Sequence, residues 1–84
     1  MSEHYVGKVE HWFGRIHVAG IALTDGGIRL GDTIHVHGHT SDFTQRVKSM
    51  QIQRTPVDTA APGDVIGVEV ANHARPGDEV YLVD

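Results

Sequence analysis

From Tyr5 to Phe13 the chain sets Val6, Val9 and Trp12 among polar residues, and from Arg15 to Leu23 it sets Ile16, Val18, Ile21 and Leu23 in near alternation. A period of two places side chains on one face of an extended strand, so both stretches read as strands. Gly14 between them leaves room for a tight turn or a bulge, which predicts an antiparallel pair. Thr24-Asp25-Gly26-Gly27 then supplies the positive φ values of a tight turn. A short piece, Ile28 to Leu30, leads through Gly31-Asp32 into Thr33 to His37, where Ile34 and Val36 alternate with polar residues as in a half-buried strand.

Phe43 to Arg54 is the longest extended stretch, with Phe43, Val47, Met50 and Ile52 as its apolar members. The step from Val47 to Met50 breaks the period of two, and a bulge at Lys48 or Ser49 would restore it. Pro56 cannot donate to a ladder, so Thr55 to Ala61 is expected to be a loop. Ala61-Pro62-Gly63-Asp64 and Arg75-Pro76-Gly77-Asp78 put Pro and Gly at the two central positions of a type II turn, and each feeds a strand: Val65 to Val70, then Glu79 to Val83. No run of ten or more residues is better explained by helical spacing than by alternation. The pattern predicts an all-β fold with essentially no helix: a small closed antiparallel β-barrel of about six strands, since an open sheet this small would leave long unprotected edges.

With 84 residues, the chain is expected to be a single β-barrel domain over residues 1–84. Its 39% hydrophobic and 21% charged residues are ordinary for a globular protein, and the absence of cysteine removes disulfides and thiolate zinc sites. The opening residues Met1-Ser2-Glu3-His4-Tyr5 show no basic stretch followed by an apolar run, and no window approaches the roughly 18 apolar residues of a membrane span. A cytoplasmic protein without a membrane partner is the expectation. The net charge of −4 argues against general coating of nucleic acid, although seven histidines make that balance sensitive to mild acid.

The strings Gly31-Asp32-Thr33-Ile34-His35-Val36, Phe43-Thr44-Gln45-Arg46-Val47-Lys48-Ser49-Met50-Gln51, Ala61-Pro62-Gly63-Asp64-Val65-Ile66-Gly67-Val68 and Arg75-Pro76-Gly77-Asp78 occur in an order that resembles the second domain of elongation factor Tu and its relatives. The likeness runs from about Gly7 to Leu82 and is similar above all to small stand-alone translation elongation factor-like proteins. It implies a translation-factor domain II barrel without its GTPase domain. No G-x-x-x-x-G-K-[ST] loop is present to hold a nucleoside triphosphate. The resemblance therefore implies a binding or positioning module, with no enzyme activity and no cofactor, whose partner is RNA, the ribosome or another nucleoprotein. Similar barrels also occur as appendages on other enzymes, including collagenase-like peptidase relatives. The family's tRNA-contacting side chains have no match residue by residue, so no such role is carried over.

Among candidate chemistry, His35, His37 and His39 are two residues apart, and alternate residues on a strand project to one side, where imidazoles could share a metal. Against this, Ile34 and Val36 claim the interior, so these histidines are expected to face water, and no carboxylate has a comparable spacing. Arg46, Lys48 and Arg54, with Arg15, alternate on the expected outer face, and Trp12 adds an aromatic surface; cations beside aromatics suit single-stranded RNA, or are simply solvated. The other reading is a protein-interaction or homo-oligomeric barrel that uses Trp12-Phe13 or Ile21-Ala22-Leu23. No nucleophile, base and orienting group stand at readable spacing, so no catalytic residue is assigned. The aspartates after Gly31, Gly63 and Gly77 are expected to accept hydrogen bonds from nearby backbone amides.

Overall fold

The computed structural model describes residues 2–84. In chain order the strands are β1 (Glu3–Phe13), β2 (Val18–Leu23), β3 (Ile28–Arg29), β4 (Thr33–His37), β5 (Asp42–Arg46), β6 (Met50–Ile52), β7 (Thr55–Pro56), β8 (Thr59–Ala60), β9 (Val65–Glu69) and β10 (Glu79–Val83), with no helix among the described residues. The all-β expectation holds. Antiparallel pairing joins eight strands in the order β5-β4-β10-β1-β2-β9-β6-β7, and β3 pairs with β8 separately.

The long strand β1 carries Val6, Val9 and Trp12 three residues apart, which simple alternation would send to opposite faces. Its register slips between Tyr5 and Gly7 against β10 and between Val9 and His11 against β2. Each slip returns the next apolar residue to the interior, so Val6 and Val9 are buried and Trp12 packs against the core. Gly7 is required at the first slip, because a Cβ there would run into the Ala22 carbonyl. Ile21, Leu23, Ile34, Val36, Ile66, Val68 and Val80 complete the centre of the core from β2, β4, β9 and β10.

Three turns share one construction. Gly31, Gly63 and Gly77 have φ of 94°, 98° and 95°, and the aspartate after each donates its N–H to the carbonyl three residues back, at 3.0 Å in all three. The same aspartates, Asp32, Asp64 and Asp78, accept the N–H of Arg29, Ala61 and Arg75 at 2.8, 2.8 and 2.9 Å. Each carboxylate satisfies a donor that the turn leaves free, as the sequence predicts.

Two expectations need correction. The sheet does not close into a barrel: β5 and β7 are its end strands. The single strand expected over Phe43 to Arg54 is instead broken, because the chain leaves β5 at one end of the sheet and re-enters as β6 beside β9 near the other. The crossing is pinned where Val47 donates to the Asp32 carbonyl at 2.7 Å and accepts from Gly31 N–H at 2.8 Å. The slip between Val47 and Met50 thus marks a crossover and not a bulge. In place of ladder closure, the side-chain amide of Gln45 on β5 donates to the Glu69 carbonyl at 2.8 Å and accepts from Ala71 N–H at 2.9 Å.

Smaller departures follow from local chemistry. β2 begins at Val18 and not Arg15, because residues 14–17 form a turn in which His17, at φ 53°, takes the left-handed position. Ile16 is thereby left 59% exposed. The region Thr55 to Ala61 contains β7 and β8, with Pro56 on the last strand of the sheet, where its missing N–H costs no ladder bond.

Candidate functional site

Three of the four large apolar side chains that are exposed on the described residues, Phe13 at 46%, Ile16 at 59% and Val65 at 49%, line one groove. The cause lies in the outward positions of β2 and β9. Gly20 stands opposite Gly67 in the ladder, and Gly67 also pairs with Gln51 of β6. Two adjacent glycines remove the side chains that would otherwise cover the sheet, and the result is a hollow of about 310 Å³.

Phe13 leans over Gly20, with its ring 3.6 Å from where a Cβ would stand, and Val18 and Gln51 flank Gly67. Neither glycine has a left-handed φ, so the groove and not backbone conformation accounts for them. A second hollow of about 240 Å³ continues past Val18, Gln51 and Gly67 to Ser49, Pro56 and Glu69. Gln53 and Arg54 form the far wall of the first. The assembly is an apolar trough with side-chain amides along it and a guanidinium at one side, the usual make-up of a ligand groove.

The candidate cations do not come together on one strand. Arg46 lies on β5, where its Nε donates to the Gly31 carbonyl at 3.2 Å. Lys48 lies in the crossing after β5 and borders a hollow with His17, Gln45 and Glu69, whereas Arg54 sits in the β6–β7 turn. Trp12 stacks on His73 at 4.9 Å between ring centres and meets His17 edge-on at 5.6 Å. Of these four residues only Arg54 lines the apolar groove.

His35 and His37 do lie on one face, with ring centres 5.7 Å apart. His35 has both nitrogens engaged: Nδ1 is 2.9 Å from Glu3 Oε1 on β1, and Nε2 is 2.6 Å from Asp42 Oδ1 on β5. The strand order β5-β4-β10-β1 brings these carboxylates to β4 from either side. The hydrogen bonds to Glu3 and then Asp42 raise the His35 pKa above its usual value, and the bond from His35 lowers that of Asp42. His39 lies in the bend beyond β4. Among the described residues no group of three or more potential ligands could hold a metal ion.

The groove was hidden from the sequence because its floor is made by a strand pairing, Gly20 with Gly67, that separate patterns do not reveal. A glycine in the middle of a predicted strand was the available signal, since it marks a close approach. Glu3 and Asp42 carried no signal at all, being 32 and 7 residues from His35.

The fold and groove define a small all-β domain with an open outer trough, and the comparisons give it relatives. No family model matches the chain. It is 37% identical over 93% of its length to an uncharacterised protease of Methanocaldococcus jannaschii, and 32% identical over 95% to a collagenase of Porphyromonas gingivalis. It spans only 19% and 22% of those two proteins, about a fifth. In three dimensions it is similar to the C-terminal domain of a Geobacillus thermoleovorans U32 peptidase, with a TM-score of 0.88 over 96% of this chain and 93% of that one at 18% identity. The selenomethionine form of that domain gives 0.85 over 92% and 96% at 19% identity.

These findings correct the resemblance to elongation factor Tu. The shared Gly-Asp turns are general turn chemistry and do not distinguish the two kinds of domain. The expected translation-factor module falls with the resemblance, and so does the expectation of no enzyme activity, since its relatives are named protease and collagenase. No helix among the described residues is long and apolar enough to cross a membrane.

Proposed function

We propose that this chain is a peptidase-related domain that holds a stretch of polypeptide in the groove over Gly20 and Gly67 while a peptide bond is cut. The observation that carries the reading is the 37% identity to a protease across 93% of the chain. Because the chain spans about a fifth of that relative, hydrolysis is proposed for the protein in which the domain works. One domain over residues 1–84 and a cytoplasmic setting are parts of the same proposal.

Polypeptide suits the groove on physical grounds. Phe13, Ile16 and Val65 offer apolar area that gains about 25 cal/mol for each Å² covered. Gln51 and Gln53 carry amides able to donate to and accept from a peptide main chain. Glycines in the floor allow that main chain to come close.

The test is titration of the isotope-labelled protein with gelatin and with denatured casein, read by NMR at every backbone amide, alongside an assay for newly released amino groups. Perturbations gathered at Gly20, Gly67, Gln51 and Val65 support the reading. Perturbations elsewhere, or none at millimolar peptide concentration, overturn it, and transfer RNA added in the same way provides the contrast.

A further inference from the structure

We propose that the groove takes the carboxy-terminal end of a polypeptide, with an apolar last side chain over Gly20 and Gly67 and its α-carboxylate on Arg54. The proposal rests on the reading of the chain as a peptidase-related domain and adds the chemical class of the ligand. Hydrolysis of a peptide bond adds hydroxyl to the acyl carbon and a proton to the amine nitrogen. Every cut therefore leaves a new carboxylate end.

Charge selects the occupant. Among the described residues Arg54 is the one ionisable group lining the hollow over Gly20 and Gly67, in a protein of net charge −4. Among the described residues the side-chain ion pairs are those of His4 with Asp84 and of His35 with Glu3 and Asp42, so Arg54 has no carboxylate of its own. A guanidinium offers a planar fork that matches a carboxylate with two parallel hydrogen bonds. Glu69, which borders the adjoining hollow, repels an anion from that end. The carboxylate is directed to Arg54, and the preceding residues run toward Ser49 and Pro56.

The backbone supplies a second, independent indication. Gln53 and Arg54 have φ of 49° and 65° and form the two-residue link between Ile52 and Thr55, which pair directly. Two left-handed residues in such a link are the mark of a type I′ hairpin, where Asn-Gly is the comfortable choice. Side chains larger than glycine are strained there, and strain of this kind gathers at ligand sites. The link places Arg54 in the groove wall. The volume of about 310 Å³ lies at the small end of ligand pockets and suits a chain end better than a long segment.

The experiment uses three probes against the labelled protein: acetyl-alanyl-alanyl-leucine, the same peptide as its C-terminal amide, and acetyl-alanyl-leucyl-glutamyl amide, whose carboxylate is on a side chain. The free acid is expected to bind about tenfold more tightly than either of the others, as one charge-assisted pair provides. Arg54→Ala and Arg54→Gln should bring the acid and amide affinities to the same value, with the Gly31, Gly63 and Gly77 signals reporting that the fold is intact. Equal binding of acid and amide overturns the proposal, as does equal binding of the glutamyl peptide or a preference that survives in both Arg54 variants. If none of the three binds, the proposal also falls, and the gelatin and casein titration then decides separately whether the groove holds polypeptide at all.

Discussion

Gly20 lies directly opposite Gly67 across the β2–β9 ladder, so the outer face lacks two side chains at one height. A Cβ at Gly67 would come 3.2 Å from Val18 Cγ1 and 3.4 Å from Gln51 Cγ, both parts of side chains that can turn aside. Gly67→Val is therefore expected to alter stability by no more than about 1 kcal/mol, because a β-branched residue suits a strand, while it fills the groove and lowers peptide affinity at least tenfold. Gly7→Ala should behave in the opposite way. Its Cβ meets the Ala22 backbone carbonyl, which cannot yield without moving the strand, and a loss of about 2–3 kcal/mol is expected. Urea unfolding of both variants checks the contrast; equal stabilities would show that Gly67 serves the backbone and not the groove.

The His35 cluster predicts a stability optimum in mild acid. The folded-state pKa of His35 is raised, so its contribution is complete below the unfolded value near 6.5 and fades as pH rises through the folded value. That of Asp42 is lowered, so its contribution is present above the unfolded value near 3.8 and fades as pH falls through the folded value. Both act together between those limits. His35 faces Glu3 from β1, Asp42 from β5, His37 on its own strand and Tyr81 on β10. Unfolding by denaturant at pH 5.5 and pH 8.5 should show the native protein more stable at the lower pH, and His35→Gln should flatten that difference. A native protein that gains stability on passing to pH 8.5 would count against the clamp.

Gln45 sits where the ladder fails to close. Its side-chain amide replaces a backbone pair by bonding Glu69 and Ala71 at 2.8 and 2.9 Å. Gln45→Ala removes both bonds, at about 0.5–1.5 kcal/mol each, and should speed hydrogen exchange at Ala71 ahead of the amides of β1 and β2. Unchanged exchange at Ala71 would mean that the seam is held by other contacts.

What the sequence disclosed depended on whether the chemistry was local. The Gly-Asp turns at Gly31, Gly63 and Gly77 were legible because a left-handed glycine and an aspartate that accepts an amide three residues back lie in one tetrapeptide. The alternation of Ile34 with Val36 and of Ile66 with Val68 gave the core faces of β4 and β9 for the same reason. The crossing at Val47 differs from the expected bulge, since a broken alternation looks alike whether one residue bulges or the chain leaves one strand for another. The need to protect edges likewise predicts closure, a need that Gln45 meets with a side chain. The groove and the Glu3–His35–Asp42 cluster depend on which strands are neighbours, information that no short stretch contains.

Arg54 offers a prediction in which stability and binding part company. At φ 65°, in a two-residue hairpin link, its backbone would suit glycine better. A left-handed residue with a side chain carries about 1–2 kcal/mol of strain, and glycine returns about 0.4–1 kcal/mol of that through the greater freedom of its unfolded chain. Arg54→Gly is thus expected to stabilise the protein by about 0.5–1 kcal/mol while it abolishes the preference for a free carboxylate. Gly63→Ala, placed at φ 98° with open space around the site, should lose stability by the reverse of the same argument. Urea midpoints for the two variants, set beside the acid-to-amide affinity ratio for Arg54→Gly, make the comparison. A less stable Arg54→Gly would show that the arginine packs to hold the hairpin. A more stable variant that has lost its carboxylate preference would show that the strain is kept for what the guanidinium binds.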